Sequence, residues 1–337
     1  MSINARNPVF VRAAFGSCSG KRALLFLAIG LLASCIAVAA DPVGKKAVGS
    51  ATAAPARVQT FDTPEQAASA IVDAARSWDT AKLFAMLGPD GHDIIFSGDY
   101  ASDRQRGADF SAQAAKKTRV AVNPKTGQRA ILFVGENDWP FPVPIVKRGG
   151  KWVFDAAVGR REIKYRRIGE NELDAIEVCR GYVEAQVDYA MRPRAPYDVS
   201  QYAQKIISTP GKQDGLAWQN PDGSWGGPIG ENIAKAIEQG YTPGVQPYHG
   251  YFFKILTGQG PAATLGQMDY VIKGVMIGGF ALVAAPAEYG VTGFKTFIVS
   301  YDGVVYEKDF GVKTSQQFEK MERFNPDKSW KIVPDNE

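Results

Sequence analysis

The chain contains two histidines, and these are its clearest candidates for acid–base chemistry. His92 lies in residues 88–93 (Gly-Pro-Asp-Gly-His-Asp), with Asp99 a little further along. Aspartates and a histidine in one loop could ligate a divalent metal or transfer protons. The same run is typical of a turn whose aspartate caps backbone amides, and this is the interpretation that we favour.

His249 lies between Tyr248 and Tyr251 at the start of a predicted strand. It could be a general base or a member of an aromatic cage, but a histidine hydrogen-bonded at a strand end is the interpretation that we favour. A hydrolase centred on His249 or His92 would need a carboxylate within hydrogen-bonding reach of that histidine in a cleft.

Other catalytic chemistry has little support in the sequence. Cys179 is the one cysteine after residue 40, so it cannot form an internal disulfide, and its place on an apolar helical stripe predicts a buried hydrophobe rather than a nucleophile. Nucleophile-elbow, Walker and His-Glu-x-x-His motifs are absent from the sequence. We therefore predict no catalytic residue, no metal and no cofactor, and favour a protein that is not an enzyme.

Aromatic side chains near glycines and prolines are the most promising recognition feature, because such rings are common in glycan and protein recognition. The alternative is that they cover a sheet as a second layer of core, which we favour for the tyrosines. Tyr241 belongs to this group, and together with the second histidine the candidate ligand-binding residues are Trp218, Trp225, Tyr248, His249 and Tyr251.

A long helix and an antiparallel meander must position the candidates of the second half. Helical spacing predicts a helix that is capped by Asn171 and ends at residues 192–193, followed by helices over 199–207, capped by Asp198, and 232–239. Residues 248–311 are rich in β-branched and aromatic side chains. Asp302-Gly303 predicts a two-residue type I′ turn, which would pair Tyr301 with Val304, Val299 with Tyr306 and Phe297 with Lys308.

The first half reads as helices on a curved antiparallel sheet. Residues 63–66 form a capping box, Asp79 caps a second helix, residues 94–96 and 130–134 read as strands, and residues 143–154 form a hairpin that turns at Gly149-Gly150. This order resembles the cone-shaped folds related to nuclear transport factor 2, some of which hold a small ligand or an active site. The predicted fold class is α+β.

The first forty residues are typical of a signal peptide. Four basic residues precede an apolar run over 23–33, and no acidic residue accompanies them. Cleavage after Ala40 would give a soluble exported protein, which is the alternative that we favour. Residues 32–35 resemble a lipobox, which makes Cys35 a candidate lipidation site. The third alternative is an uncleaved signal that anchors the protein in the membrane. The predicted organisation is signal peptide 1–40, flexible leader 41–60, N-terminal α+β domain 61–168 and C-terminal α+β domain 169–332.

The charge balance argues against nucleic-acid binding. The chain has 39 Lys+Arg and 35 Asp+Glu, and losing the four basic residues of the signal leaves equal numbers. The basic run over residues 160–167 could meet anionic lipid or polysaccharide, but a solvated strand edge is the interpretation that we favour.

Four segments carry a resemblance to a known family: residues 214–218, 248–257, 278–293 and 302–311. Together they look like the bacterial exported family catalogued as domain of unknown function 2950, over a region from about Phe61 to Ile332. The resemblance implies an exported protein and a general architecture, without an activity or a catalytic residue. It also implies a partner in the envelope. The helix and meander resemble pilin-like subunits as well, although the domain that precedes them argues against pilus assembly.

These observations predict an exported binding or assembly module of the cell envelope, in the periplasm, secreted, or held at the membrane by a lipid anchor or uncleaved signal. Its partner would be an envelope protein or a glycan, and not nucleic acid. The alternatives are a periplasmic hydrolase that uses His249 or His92 with nearby carboxylates, and a small-ligand carrier in the N-terminal domain.

Overall fold

The structure, a computed structural model, describes residues 58–96, 100–238 and 244–334. The predicted signal segment, Cys35, most of the leader, Asp99 and Tyr241 lie outside the described residues. The chain has a mixed α+β fold in two units, of which the first ends at Glu162 and the second begins at Ile163. Within the described residues, no helix combines the length and the apolar character needed to cross a membrane.

The first unit places helices against an antiparallel sheet with the strand order β1-β2-β4-β5, in which β3 also pairs with β2. Its core includes Ala67, Ile71, Leu132 and Ile145, all nearly inaccessible to solvent. The relation to nuclear transport factor 2 stays a prediction. The elements are α1 (Pro64–Ser77), α2 (Thr80–Leu87), α3 (His92–Ile95), α4 (Tyr100–Lys116), β1 (Thr118–Val122), β2 (Arg129–Val134), β3 (Trp139–Pro140), β4 (Ile145–Arg148) and β5 (Lys151–Phe154).

Local signals correctly predicted both helix starts and one turn of this unit. The Thr63 hydroxyl accepts from the Gln66 backbone N–H at 3.2 Å, and Asp79 accepts from the backbone N–H at the start of α2 at 3.1 Å. Gly149 and Gly150 have φ values of 56° and 82° between β4 and β5. Both central residues therefore have the positive φ that a type I′ turn requires.

Two features of the first unit differ from the expectation. The predicted strand over residues 94–96 is wrong, because these residues end the short helix α3, where the Phe96 N–H donates to the His92 carbonyl at 2.8 Å. A three-residue apolar run has no periodicity that distinguishes a strand from a helical turn. Helix α4 gave no apolar signal, because its buried stripe consists of small and polar residues: Asp103, Gly107, Ser111 and Ala114.

Helix α5 (Ala156–Ala190) is one continuous element of 35 residues, and the boundary between the units falls inside it. Asp155 caps it by accepting from the Val158 N–H at 3.2 Å. The predicted start at Asn171 is therefore wrong, and the Asn171 amide instead donates to the Thr292 carbonyl at 2.8 Å. The predicted strand edge over residues 160–167 is also wrong, since this basic run lies on α5.

The second unit packs α5 on an antiparallel sheet with the order β17-β15-β14-β13-β8, which confirms the predicted helix on a meander. Ala175, Cys179 and Tyr182 of α5 belong to the same core as Leu282 and Val299 of the sheet. The other elements are α6 (Gly230–Glu238), α7 (Thr314–Lys320), β6 (Trp218–Gln219), β7 (Trp225–Gly226), β8 (Tyr251–Leu256), β9 (Gly258–Gln259), β10 (Met268–Asp269), β11 (Val271–Ile272), β12 (Val275–Met276), β13 (Ala281–Pro286), β14 (Thr296–Ser300), β15 (Val305–Lys308), β16 (Arg323–Phe324) and β17 (Lys331–Ile332).

The register predicted for the β14–β15 hairpin is wrong by one residue. Val299 pairs with Val305, so that the connection is longer than two residues. Gly303 has a φ of 76°, whereas Asp302 has no positive φ, and a type I′ turn is thereby excluded. The Asp302 carboxylate accepts from the Val304 N–H and from the Ser300 hydroxyl, both at 3.1 Å. These side-chain bonds stabilise the wider turn.

The predicted helix over residues 199–207 is also wrong, and this segment is irregular. The amide of the buried Gln186 donates to the Ala203 carbonyl and accepts from the Ala203 N–H, both at 2.8 Å. Asp198, the predicted cap, has a φ of 54°. Because Gln186 uses the backbone groups that a helix would need at Ala203, the segment is held against α5 in an extended form.

Candidate functional site: a cleft in the second unit

The second unit contains a cleft with a volume of about 650 Å³, bounded by α5, α6 and the turn that precedes β8. This volume lies within the range of small-molecule and cofactor sites, which is on the order of 300–1,000 Å³. The floor of the cleft is apolar. It is lined by Val178, Ala185, Leu216, Ile229, Ile233 and Leu282.

A tight turn over residues 248–251 brings His249 to the cleft. The Tyr248 and Tyr251 backbones exchange two hydrogen bonds of 2.9 and 3.0 Å, and the central residues His249 and Gly250 have φ values of 48° and 74°. This is the pattern of a type I′ turn. A Cβ on Gly250 would lie 2.6 Å from the Asn171 amide nitrogen, so glycine is required where the turn approaches α5.

The turn places the His249 ring against Asp174 of α5. Nδ1 of His249 contacts Oδ2 of Asp174, and the two side chains are 42 % and 41 % exposed. The Tyr248 ring lies 4.3 Å from the His249 ring, measured between centroids. Burial, together with the nearby Asp174 charge, raises the pKa of Tyr248 above its ordinary value. The Nδ1 contact leaves Nε2 of His249 as the ring nitrogen available for proton transfer.

Further carboxylates follow Asp174 along α5. Glu177, Glu184 and Asp188 line the cleft, and all three are exposed. At about 100° per residue, the four acids fall within a sector of about 80° on one side of the helix, beside the apolar Val178 and Ala185. Among the described residues that line the cleft, there is no lysine or arginine. The cleft therefore has an apolar floor and one acidic edge.

Hydrogen bonds at both ends hold the cleft walls in place. Near His249, the Glu172 carboxylate accepts from the Phe294 and Lys295 N–H groups at 2.8 and 3.1 Å. Towards the other end, the Gln186 amide donates to the Tyr182 hydroxyl at 2.9 Å, and Tyr182 donates to the Ala281 carbonyl. Burial raises the pKa of the Tyr182 hydroxyl, so it remains a neutral donor.

Gly181 occupies the middle of the α5 wall. A Cβ built on it would meet no atom within 4 Å, and the same holds for Gly169 earlier in the helix. Neither glycine is needed for close packing, and glycine in a helix interior costs about 1 kcal/mol relative to alanine. A side chain at Gly181 would extend into the cleft, whereas Gly169 does not line it.

His92, the other predicted histidine, has a different setting. Its Nδ1 lies 3.2 Å from Oδ1 of the adjacent Asp93, and the two side chains are 65 % and 72 % exposed. Arg160 donates to Asp90 at 2.8 Å and lies 3.8 Å from Asp93. A guanidinium therefore already neutralises the carboxylates that a metal at His92 would need. Within the described residues, no group of three or more potential metal-ligating side chains is close enough to hold an ion.

Of the aromatic candidates, only Tyr248 is among the described residues that line the cleft with His249. Tyr251 is fully buried in the core, where its hydroxyl donates to the Lys295 carbonyl at 2.9 Å. Trp218 packs against the core, with the Arg194 guanidinium 5.4 Å from its ring centroid. Trp225 lies on β7 and does not line the cleft.

Cys179 is fully buried, and burial raises the pKa of its thiol to about 12. A thiol that stays protonated is a poor nucleophile, in agreement with the prediction of a buried hydrophobe. The described residues that line the cleft include no serine, threonine or cysteine. A serine, threonine or cysteine nucleophile therefore has no candidate among the described residues that line the cleft.

The sequence interpretation missed the carboxylates of α5. A helix that starts at Asn171 would explain Asp174 as an acid of the first turn, and it would leave Glu177, Glu184 and Asp188 without a special role. Their spacing carries a signal, since intervals of three, seven and four residues place them on one helical stripe. The partner of that stripe, His249, lies 75 residues away from Asp174 in the sequence, and periodicity does not reveal such a contact.

Together, the fold and the site define an α+β protein whose second unit carries an acidic cleft with a histidine–aspartate pair. A family model described as "Protein of unknown function (DUF2950)" matches residues 58–333, so the chain belongs to this family, as its sequence motifs predicted. Comparisons with curated proteins and with solved structures give no match.

Proposed function

We propose that this protein is an exported binding module of the cell envelope and that its ligand-binding site is the cleft of the second unit. The observation that carries the proposal is the combination of an apolar floor with an edge of carboxylates, in a volume of about 650 Å³. Apolar surface with a few converging polar groups is the usual composition of a binding site. Export is supported by the basic and apolar pattern of residues 1–40.

The cleft can be tested by filling it. Gly181→Leu would place a branched side chain in the cleft without a clash at Cβ, and Gly169→Leu is the matched control elsewhere on the same helix. Both changes raise helix propensity by about 0.5–1 kcal/mol, so neither is expected to unfold the protein. Immobilised variants would be incubated with envelope extract, and the captured proteins and glycans quantified by mass spectrometry.

We expect wild type and Gly169→Leu to capture the same molecules, and Gly181→Leu to lose at least one of them almost completely. Equal capture by all three proteins would refute a ligand-binding role for the cleft.

Export is tested separately by intact-mass analysis of the processed protein. A mass that begins at Asp41 corresponds to a soluble periplasmic or secreted protein, and a lipidated Cys35 corresponds to a membrane-tethered one. Recovery of the unprocessed chain from the cytoplasmic fraction would contradict export.

A second candidate function is hydrolysis with water as the nucleophile. It is favoured by one observation, the contact of Asp174 with Nδ1 of His249 inside the cleft. Asp174 would hold the ring so that Nε2 accepts a proton from water as the water attacks the substrate. His249→Asn would then abolish hydrolysis of peptide or glycan substrates, while His92→Asn would not. Unchanged turnover in His249→Asn would exclude this mechanism.

Small-ligand carriage by the first unit stays a prediction.

A further inference from the structure

Within the described residues, the carboxylates of the acidic edge are not neutralised by ion pairs to lysine or arginine. Glu177, Glu184 and Asp188 form no ion pair with any residue in the described part of the chain. Asp174 contacts His249, which carries a charge only when protonated. A bound ligand therefore enters a field that is negative along one wall, and charge complementarity favours a cation.

Two of the acids lie at a spacing where like charges repel. Glu184 and Asp188 are four residues apart, where like charges on a helix repel each other. A cation between them would relieve this repulsion.

The acidic edge is long. Asp174 and Asp188 are 14 residues apart on α5, which corresponds to about 21 Å along the helix axis at about 1.5 Å per residue. An extended peptide rises about 3.3 Å per residue, so about six residues would span this edge. A single small cation would reach one or two of the acids, whereas an extended chain would reach all of them.

The apolar floor requires a second property of the ligand. Ile229, Ile233 and Leu282 line the cleft together with Phe253 and Tyr248. In an extended peptide, alternate side chains point to opposite faces. One set would pack on the floor and the other would meet the carboxylates, with Tyr248 also able to contact an ammonium group through its ring.

A neutral glycan fits these features less well. Its hydroxyl groups would not neutralise the acidic edge, and the two tryptophans best suited to stack on sugars, Trp218 and Trp225, do not line the cleft.

We propose that the cleft binds an extended basic peptide segment of a partner protein, about six residues long, in which lysine or arginine alternates with apolar residues. This inference rests on the proposed function of the cleft as a binding site. It adds the chemical class of the ligand. The binding role of the cleft and the basic character of its ligand can therefore be refuted separately.

The test is isothermal titration with three acetylated and amidated hexapeptides, in which leucine alternates with lysine, glutamine or glutamate, and with the linear polyamine spermine. Wild type is compared with the triple variant Glu177→Gln/Glu184→Gln/Asp188→Asn. The matched control changes three exposed acids of the second unit that do not line the cleft: Glu288→Gln, Glu319→Gln and Glu322→Gln.

We expect the lysine peptide to bind wild type and the control at least tenfold more tightly than the glutamine peptide, and the glutamate peptide not to bind. The triple variant should lose this preference, and high salt should weaken it. Spermine should bind more weakly than the lysine peptide because it leaves the apolar floor exposed. Spermine binding as tight as that of the lysine peptide would overturn the assignment to a peptide.

Gly181→Leu separates failure of the inference from failure of the proposed function. If the lysine and glutamine peptides bind equally and Gly181→Leu abolishes both, the cleft is a binding site but its ligand is not basic. If the lysine peptide binds Gly181→Leu as well as wild type, the cleft is not its site and the inference is wrong. If no peptide binds, the inference also fails, and the capture experiment decides the proposed function alone.

Discussion

The protein contains the same pair of side chains twice, and the two copies differ in what surrounds them. His92 and Asp93 are neighbours in the chain, and both are largely exposed. His249 and Asp174 are 75 residues apart, half-exposed, and line a cleft. In both pairs the carboxylate contacts Nδ1 of the ring.

The two pairs differ in the backbone conformation of the histidine. His92 has a φ of −53° in ordinary right-handed helical conformation, so its pairing with Asp93 requires nothing unusual of the backbone. His249 has a φ of 48°, in a region that side-chain-bearing residues rarely adopt. A backbone conformation that costs free energy and places a ring at a cleft is better evidence of a functional role than the pairing itself.

The largest expected effect concerns this backbone difference. His249→Val should lower the free energy of unfolding of the second unit by about 1–3 kcal/mol, because a β-branched residue is poorly tolerated at positive φ. His92→Val should cost less than about 1 kcal/mol in the first unit, since His92 has an ordinary helical backbone and a largely exposed side chain. Native-state hydrogen exchange of amides in β8 and α2 would measure the two effects separately.

The control is His249→Gly, which removes the ring but suits the left-handed conformation. It should destabilise less than His249→Val. If both variants unfold with equal ease, the ring contacts and not the backbone determine the cost.

A smaller effect concerns chemical access. Diethyl pyrocarbonate should modify His92 severalfold faster than His249, because the His92 side chain is 65 % exposed and that of His249 is 42 % exposed in a cleft. Asp174→Asn should speed the reaction at His249 and leave that at His92 unchanged. Peptide mapping by mass spectrometry follows both sites in one sample, and faster modification of His249 in the wild type would contradict the described cleft.

Three glycine-containing turns explain how far the sequence could predict this structure. Gly149-Gly150 forms the predicted type I′ turn, where neither glycine would have a neighbour within 4 Å of an added Cβ. The turn type there follows from the backbone preference of the two glycines, because no tertiary contact opposes it. Asp302-Gly303 has the same kind of signal, but the Asp302 side chain bonds to nearby backbone and hydroxyl groups and a wider turn results.

At the third turn, His249-Gly250, the dipeptide gives a weak signal and tertiary contacts decide. Gly250 lies so close to the side chain of Asn171 that a Cβ would not fit, and the sequence does not reveal this neighbour. Asn171 has the residue type of a helix cap, but the side chains of Asn171 and Glu172 bond to residues 292–295 instead, and α5 continues through them. Apolar periodicity and β-rich composition predicted the helix and the meander, whereas the site depends on contacts between distant residues.

A still smaller effect concerns the tyrosine beside the cleft histidine. Burial and the Asp174 charge raise the pKa of Tyr248, so it stays protonated in the folded protein at a pH where the unfolded chain has lost the proton. Its contribution to stability is therefore present below about pH 10, the ordinary tyrosine value, and is lost as the pH rises through the folded pKa.

Asp174→Asn should lower the pKa of Tyr248 part of the way, because the contribution of burial remains. Titration of tyrosinate absorbance, compared with the same titration of Tyr248→Phe, isolates this group. No difference between wild type and Asp174→Asn would show that the Asp174 charge does not reach the ring.

The smallest expected effect concerns the exposed pair. Arg160→Gln removes the guanidinium that contacts Asp90 and Asp93, whose side chains are 52 % and 72 % exposed. Exposed ion pairs contribute on the order of 0–1 kcal/mol, so we expect a loss of about 0.5 kcal/mol or less in the first unit. Hydrogen exchange of the α3 amides would measure it. A loss of several kcal/mol would mean that the acids around His92 are held as tightly as the cleft pair. The two histidines would then differ only in the backbone conformation of His249.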